Sequence, residues 1–269
     1  MSALYYPPSP LLQDYVSGYV LTDYDGGGAA IVAGYPKGHA TLCLSLDGTF
    51  QGSMNDDPEL LQHPKFSFIP FLKSTTLFHT TSWPSRVLHV IFKPYGAFRL
   101  LQVPQHLQFG KAGTAMEDLL DKKANAFLKR MEDAGADINL IIKLLDNWLL
   151  QQVSQPKATD TNHIRLACTL IEKSNGLIRI DQLAQQVYLS KRTLEYRFQQ
   201  QVGVSPKLYN RIVRFNSLLG DIRKSNTPDW QDLALKYNFF DQAHMIKEFK
   251  NFYKSTPTNP VTFRDVMGE

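Results

Sequence analysis

The pattern of apolar and polar positions changes once along the chain, near residue 115. Before that point the apolar runs are short, and Gly- and Asp-rich turn sequences separate them. Examples of such runs are residues 40–46, 66–69 and 87–92. Short strands between turns of this kind are typical of a β-sandwich or a β-barrel. The pattern therefore predicts a β-sandwich or a β-barrel over about residues 1–112.

Beyond this point the apolar positions recur every three or four residues, which indicates amphipathic helices. Two helices are predicted within about residues 115–152, and Gly135 separates them. The polar stretch 154–160 contains a proline, and we interpret it as a linker. These boundaries predict an N-terminal domain over residues 1–153 and a C-terminal domain over residues 161–269.

The C-terminal domain is predicted to consist of helices throughout. We expect them at residues 161–174, 180–188, 190–201, 205–223, 229–237, 241–253 and 257–266. Ser190 is placed to cap the third of these helices, because its hydroxyl can accept a hydrogen bond from the first turn. Pro206 fits the first helical position of the fourth, after a capping serine.

Two segments of this domain follow one plan, about 50 residues apart. Residues 183–198 and 233–249 each contain a short helix, a tight turn and a longer helix. The small residues Ala184 and Ala234 allow the second helix to cross the first closely, as a helix-turn-helix requires. One such pattern is a weak signal, whereas two copies joined by a long helix indicate a DNA-binding unit much more strongly.

The charge is distributed unevenly along the 269 residues. Residues 1–156 hold 12 Lys and Arg against 14 Asp and Glu, whereas residues 157–269 hold 17 against 11, a net charge of +6. A basic C-terminal part suits a polyanionic partner such as nucleic acid. A solvated basic surface would account for the same excess, so the charge alone leaves both interpretations open.

Several classes of protein are disfavoured by the sequence. No run of about 18 apolar residues is present, and the N-terminal residues lack the pattern of a secretory signal. Two cysteines, Cys43 and Cys168, are too few for a disulfide scaffold or a thiolate zinc site. We therefore expect a cytoplasmic protein with no membrane partner. Since histidine spacings and nucleophile motifs typical of enzymes are absent, we expect no metal, no cofactor and no catalytic residues.

Residues from about 161 to 266 resemble the DNA-binding domain of bacterial AraC/XylS-type transcription regulators. The resemblance is carried by Ala184, Leu189-Ser190, Leu194, Arg197-Phe198, Gly203-Val204-Ser205-Pro206, Tyr209, Arg214, Phe239-Phe240-Asp241-Gln242, Phe249-Lys250, Thr256-Pro257 and Phe263-Arg264. It implies two helix-turn-helix units held by a linker helix, here residues 205–223. It also implies a sequence-specific transcription regulator whose two recognition helices enter successive major-groove segments on one face of double-stranded DNA.

The resemblance also implies which side chains contact DNA. The residues implied to contact bases are Arg192, Glu195, Tyr196, Gln242, His244 and Lys247. The residues implied to contact the DNA backbone, or alternatively to support the fold, are Ser190, Lys191, Arg197, Arg214 and Lys250. Arg, Gln, Glu and His are side chains that pair with base edges in the major groove. An ion pair within the domain is the alternative role for Arg197, and exposure without a base partner is the alternative for His244.

Three positions depart from the family pattern. Asn238 replaces a usual glycine, and Asn accommodates the left-handed backbone conformation. Lys254 also replaces a usual glycine, at a cost of about 1 kcal/mol if its φ angle is positive. Phe240 replaces a usual small polar residue, so the second unit is expected to hold DNA differently or more weakly than the first.

The first 110 residues or so resemble, more weakly, the cupin-like barrel sensor domains that precede this DNA-binding unit. Residues 35–39 and 91–97 carry this resemblance. It implies a small-molecule effector, a homodimer, and RNA polymerase as a partner if the protein activates transcription. The expected fold class is therefore α+β with two domains: a cupin-like β-barrel with two helices, then an all-α double helix-turn-helix domain.

Three alternative functions stay open at this point. The first is a DNA-binding regulator whose N-terminal domain only oligomerises and binds no ligand. The second is a cupin isomerase or oxygenase fused to a helical domain. The third is a protein-docking module built from the helix pairs.

Overall fold

A computed structural model describes most of the chain. The described residues are 2–23, 30–47, 51–54, 61–62, 64–73, 75–82, 86–108, 113–120, 122–135, 137–153, 160–225, 227–257 and 264–265. Antiparallel sheets come first along the chain and helices follow, so the predicted α+β class is confirmed. Of the predicted linker, only residue 160 lies among the described residues.

The strands lie in two separate sheets. They are β1 (Ser2–Tyr6), β2 (Val16–Asp23), β3 (Ala30–Gly34), β4 (Thr41–Ser45), β5 (Gln51–Met54), β6 (Leu61–Gln62), β7 (Phe66–Ile69), β8 (Thr76–Ser82), β9 (Arg86–Phe92), β10 (Thr114–Ala115) and β11 (Arg264–Asp265). One sheet has the order β1-β2-β9-β4-β7-β10 and the other the order β11-β3-β8-β5-β6.

The two sheets do not close into one continuous barrel, because no described strand is shared between them. From β2 to β5 successive strands alternate between the two sheets, and so do β7, β8 and β9. Each of these connections therefore carries the chain across to the opposite sheet, as in the double-sheet jelly rolls to which cupins belong. The N-terminal region is roughly cupin-like in this sense, although the sheet is open.

Ten helices are described along the same residues. They are α1 (Gly96–Leu101), α2 (Met116–Leu120), α3 (Lys122–Asp133), α4 (Ile138–Val153), α5 (Asn162–Lys173), α6 (Ile180–Gln186), α7 (Lys191–Val202), α8 (Pro206–Lys224), α9 (Trp230–Lys236) and α10 (Gln242–Tyr253). From α5 to α10, each boundary lies within two residues of its predicted position, because local periodicity and capping residues set these ends.

The last predicted helix, at residues 257–266, is wrong where the structure describes it. Arg264 and Asp265 form β11, which pairs in parallel with Val32 and Ala33 of β3. The edge of β3 offers unpaired backbone groups, and pairing with them overrides a local helical preference. Residues 258–263 and 266 of that predicted helix lie outside the described residues.

The core of the sheet region is completed by α3 and α4. Phe66 of β7 packs against Phe127 of α3, with ring centroids 5.6 Å apart. The ring of Phe127 in turn stacks on Trp148 of α4 at 4.9 Å. Both helices therefore bury their apolar faces against the first sheet, and each aromatic ring pair adds to the stability gained by burial.

A second core cluster joins the helical region to the sheet region. Phe71 and Tyr95 from the sheet region are buried in the same cluster as the helical residues Phe198 and Tyr209. The rings of Phe71 and Tyr209 lie 5.8 Å apart. The contact between the two regions is therefore apolar and continuous with the core of the helices.

Polar contacts supplement this shared core. The backbone N–H of Thr75 donates to the carbonyl oxygen of Phe252 at 3.2 Å. The side-chain amide of Asn216 donates to the carbonyl oxygen of Pro36 at 3.1 Å. Since directional hydrogen bonds fix orientation as well as distance, these contacts set how the helices sit on the sheets.

Gly176 is a position where only glycine fits, between α5 and α6. Its φ angle is +72°, and an added Cβ would lie 2.2 Å from the backbone oxygen of Asn210 in α8. We predict that Gly176→Ala lowers the free energy of unfolding by about 2 kcal/mol or more, because left-handed strain adds to a backbone clash. Chemical denaturation of the full chain measures this change.

Gly220 provides the matched control within α8. An added Cβ there would meet nothing within 4 Å. Gly220→Ala should therefore stabilise the protein by up to about 1 kcal/mol, because alanine has the higher helix propensity. Equal effects of the two substitutions would contradict the close approach at Gly176.

Candidate nucleic-acid interface

The turn of the first helix pair, α6 and α7, has a defined backbone geometry. The N–H of Leu189 donates to the carbonyl oxygen of Ala184 at 3.0 Å, which closes α6 in a Schellman motif. Tyr188 takes the left-handed position of this motif with φ 55°, an unfavourable conformation for a bulky residue. Ser190 then caps α7, because its hydroxyl oxygen accepts a hydrogen bond from the N–H of Thr193 at 3.1 Å.

The second helix pair, α9 and α10, repeats this geometry with different residues. The N–H of Phe239 donates to the carbonyl oxygen of Ala234 at 2.9 Å. Asn238 occupies the left-handed position with φ 53°, as the sequence predicts. Asp241 caps α10 by accepting from the N–H of His244 at 2.7 Å. Both pairs are therefore complete helix-turn-helix units by backbone geometry.

The longer helix of each unit has one buried face. In α7, Leu194 and Phe198 are completely buried. In α10, Met245 is completely buried and Phe249 is 1% exposed. In each helix the two residues are four apart, so they lie on the same face. The opposite face of each helix is consequently directed to solvent.

The solvent-directed faces bring most of the predicted contact residues to the surface. The exposed residues of the first unit are Ser190, Lys191, Arg192, Glu195 and Tyr196; those of the second unit are Gln242, His244, Lys247 and Lys250. Arg197 and Arg214 are partly buried. These two predicted backbone-contact residues are therefore less accessible to solvent than the other predicted contact residues.

The two units are joined by α8, a single helix of 19 residues. A helix of that length spans about 28 Å. Its buried side chains include Tyr209, Ile212, Phe215 and Leu218, which belong to the same core as both units. The distance and the angle between α7 and α10 are therefore fixed by packing.

The C-terminal ends of both recognition helices face the sheet region. Gly203, which ends α7 with φ 96°, approaches Gln105 so closely that a Cβ would lie 3.2 Å from the Cβ of that residue. Phe252, near the end of α10, accepts the hydrogen bond from Thr75. The N-terminal ends of both helices, which carry the exposed residues Arg192 and Gln242, lie away from these contacts.

Comparison with known protein families supports this description of the helices. The family described as helix-turn-helix domain matches residues 183–260. This range covers α8, the second unit and all of the first unit except the first three residues of α6. The C-terminal region therefore carries a helix-turn-helix domain. The resemblance deduced from the sequence motifs is thereby confirmed for the C-terminal region.

The individual proteins similar to this chain share little sequence with it. An uncharacterized HTH-type transcriptional regulator of Haemophilus influenzae is 24% identical, over 58% of this chain and 55% of its own length. The chain thus spans about half the length of that curated relative. ToxT from Vibrio cholerae O395 is 11% identical with a TM-score of 0.47, over 89% of this chain and 95% of that chain. An AraC-type regulator from Chromobacterium violaceum is 23% identical with a TM-score of 0.36, over 40% of this chain and 96% of that chain.

Lys191 and Tyr196, two of the exposed predicted contact residues, have side-chain partners within the helix-turn-helix domain. Lys191 forms an ion pair with Asp181 of α6, and this hydrogen bond lowers the pKa of the Asp181 carboxyl. The hydroxyl of Tyr196 accepts a hydrogen bond from the side-chain amide of Gln200 at 2.7 Å. Both side chains remain exposed, and an exposed ion pair is weak enough to exchange for a phosphate contact.

Arg214 serves the fold through contacts inside the domain. Its guanidinium lies 3.6 Å from a carboxylate oxygen of Glu248 and 4.4 Å from the ring centroid of Phe239. Arg211 binds the same carboxylate with two hydrogen bonds of 2.6 and 2.8 Å. Of the two roles open to Arg214, these contacts favour support of the second unit.

Arg211 and Glu248 were not predicted from the sequence, although the spacing between Arg211 and Arg214 indicates that these two side chains share a helix face. Arg211 and Arg214 are three residues apart on α8 and therefore share one face. Only the fold shows that Glu248 of α10 faces them, 7% exposed. Burial raises the pKa of this carboxyl, but Arg211 and then Arg214 outweigh burial, and the net pKa is lowered.

The backbone conformation of Lys254 confirms that this position departs from the family pattern. Lys254 follows α10 in the left-handed conformation with φ 63°, where the family usually has glycine. A lysine there costs about 1 kcal/mol relative to glycine, as expected. The C-terminal end of the second recognition helix therefore depends on other contacts for its stability.

Among the residues that the structure describes, no group of three or more His, Cys, Asp or Glu is placed to hold a metal. Both cysteines are buried, and burial raises the pKa of the Cys43 thiol to about 12. A thiol of this kind stays protonated and unreactive at neutral pH. No helix in the described part of the chain is long and apolar enough to cross a membrane.

The ion pair at Glu248 gives a pH-dependent prediction. Because the pKa of this carboxyl is below its usual value of 4.5 in the folded protein, its contribution to stability is present above about pH 4.5 and is lost at lower pH. Glu248→Gln should lower the free energy of unfolding by about 2 kcal/mol at pH 7. The difference from the wild type should shrink as the pH falls below 4.5.

Glu195→Gln is the control for this measurement. Glu195 is exposed on α7, and a surface substitution of this kind should change the stability by no more than about 0.5 kcal/mol. Denaturation curves at several pH values compare the two variants. A difference for Glu248→Gln that stays constant down to pH 3 would contradict the assigned role of the carboxylate.

Proposed function

We propose that the protein is a sequence-specific regulator of transcription that binds double-stranded DNA through both helix-turn-helix units. The observation that carries this proposal is the pair of matched units, fixed relative to each other by α8 with both polar helix faces exposed. A major groove accepts one helix, and successive turns of the duplex on one face are about 34 Å apart. Two recognition helices on one rigid connector suit such a spacing.

We assign base recognition to the exposed residues near the starts of α7 and α10. The base-contact set is Arg192, Glu195, Tyr196, Gln242, His244 and Lys247. Arg192 can pair with a guanine edge through two hydrogen bonds, and Gln242 with an adenine edge. Lys191 and Lys250, the exposed basic residues of the predicted backbone-contact set, suit contact with phosphates, which position a protein without reading sequence.

Selection of bound sequences from a pool of random duplexes tests the proposal with the full chain. We expect an enriched motif with two boxes about one helical turn apart, because both units bind on one face of the duplex. A single box would mean that only one unit reads bases. If no sequence is enriched and no duplex is bound at any salt concentration, the function proposed is wrong, and protein docking becomes the better explanation of the helix pairs.

Arg192→Ala should weaken binding to the selected sequence by about 1–3 kcal/mol and relax the preference at one base position. The physical reason is the loss of a bidentate contact with a base edge. Lys250→Ala is the matched comparison: it should reduce the salt dependence of binding and leave the selected motif unchanged. Unchanged affinity and unchanged preference for Arg192→Ala would remove this residue from the base-contact set.

We further propose that a small effector binds in the N-terminal region and modulates DNA binding. A cleft of about 190 Å³ between β4, α3 and α4 supports this proposal. The walls include apolar Leu44, Leu128 and Ile141, and the ion pairs Lys65–Glu132 and Arg86–Asp47 lie at the same cleft. A cleft with both apolar walls and charged groups suits an amphiphilic small molecule.

We also propose that the protein forms a homodimer and, if it activates transcription, contacts RNA polymerase. Sedimentation of the full chain distinguishes a monomer from a dimer, and a dimer would repeat the two-box motif in the selected DNA. A dimer that binds DNA equally well with and without small molecules would favour an N-terminal region that only oligomerises. RNA polymerase is the expected partner if the protein activates transcription.

A further inference from the structure

The turn of the second unit is one residue longer than the turn of the first. Ala184 and Ala234 are equivalent by their hydrogen bonds and lie 50 residues apart. The two capping residues, Ser190 and Asp241, are 51 residues apart. Phe240 is the residue that directly precedes the second cap, and it accounts for the extra position.

Phe240 is the most exposed large apolar side chain in the described residues. Its exposed fraction is 92%, whereas the preceding residue, Phe239, is 7% exposed. Apolar surface that stays accessible to water is unfavourable. Because the ring is almost fully accessible, it adds nothing to the core that the described residues form.

The backbone that carries Phe240 is nevertheless well fixed. Its N–H donates to the Nδ1 atom of His244 at 3.4 Å, and the N–H of His244 donates to the Asp241 cap at 2.7 Å. The ring of Phe239 lies edge-on to the ring of His244 at 5.4 Å. Arg214 covers the same Phe239 ring. The turn therefore presents the phenyl ring of Phe240 from a defined position.

This position is at the start of the recognition helix. Phe240 directly precedes Asp241 and the exposed residues Gln242 and His244. In a helix-turn-helix, the N-terminal residues of the second helix are the ones that reach base edges. The ring is therefore beside the side chains that would read the second box.

We propose that Phe240 packs against the C5-methyl group of a thymine in the major groove. The proposal rests on the function proposed above and adds a specificity-determining residue to it. Thymine is the one base that presents a methyl group in the major groove, and an apolar side chain such as Phe recognises it by contact. Phe240 thus selects thymine at one position of the second box.

The surroundings of the ring favour DNA over a protein partner. A protein interface needs a contiguous apolar patch with an extended contact area. Within two residues of Phe240 along the chain, the exposed residues are Asn238, Asp241 and Gln242, and all three are polar. A single apolar ring among polar groups matches a methyl group among base edges better than it matches an apolar protein surface.

The test replaces each thymine of the selected duplex with uracil, one at a time, in binding measurements with the full chain. Uracil lacks only the methyl group, so each replacement isolates one methyl contact. For the wild type we expect one position of the second box at which uracil weakens binding about three- to fivefold, the effect of one buried methyl group. For Phe240→Ala we expect weaker binding to the thymine duplex and no further loss with uracil at that position.

Leu235→Ala is the matched control, since Leu235 is 75% exposed on α9 and is also an apolar surface residue of the second unit. This variant should retain the uracil effect at the same position. Both side chains are exposed, so circular dichroism and the melting temperature should show that both variants fold like the wild type.

Different failures of the test point to different causes. If Phe240→Ala loses the same factor as the wild type on uracil replacement, or if no thymine of the second box is sensitive, the methyl contact is overturned while DNA binding stands. If Phe240→Ala binds every duplex as the wild type does but fails to activate transcription, the ring contacts a protein instead. If no duplex is bound at all, the function proposed above fails, and this contact fails with it.

Discussion

The buried face of α8 is the constraint on which the rest of the helical region depends. Tyr209 near its start and Phe215 near its middle belong to one core that includes residues of both helix-turn-helix units. Gly176 lets the loop after α5 lie directly on this helix, and Arg211 ties it to Glu248 of α10. Because the two units share one rigid helix, the spacing between them is fixed. The proposed recognition of DNA by both units at once depends on that spacing.

The sheet region adds a second level of restraint, because it contacts α7 and α10 near their C-terminal ends. The core cluster of the helices includes Phe71 and Tyr95 from the sheet region, and Thr75 binds the backbone near the end of α10. A conformational change in the sheets would therefore act on the helices through packed side chains and hydrogen bonds. Coupling of two regions by contacts of this kind requires two discrete packing arrangements rather than gradual deformation.

The sequence predicts the helical region well because its signals are local. Ser190 and Ser205 cap helices within three residues, and the buried pair Leu194 and Phe198 follows from a single helical period. The Glu248 contacts, the split of the barrel into two sheets and the pairing of β11 all join residues far apart along the chain. Pairing partners of that kind depend on tertiary packing, which periodicity does not encode. The roles of the proposed DNA-contact residues depend on a partner as well as on the fold.

The pairing of β11 with β3 has a consequence for how the helical region is attached. The helices follow α4 of the sheet region in sequence, and residues beyond α10 return to the second sheet at Val32 and Ala33. The helical region is therefore attached to the sheet region at both of its ends rather than at one. A region attached at one end can rotate about that point. Attachment at both ends restricts rigid-body motion to rotation about the axis through the two attachment points. Any reorientation of the two recognition helices must then occur about that axis or break the β3–β11 pairing.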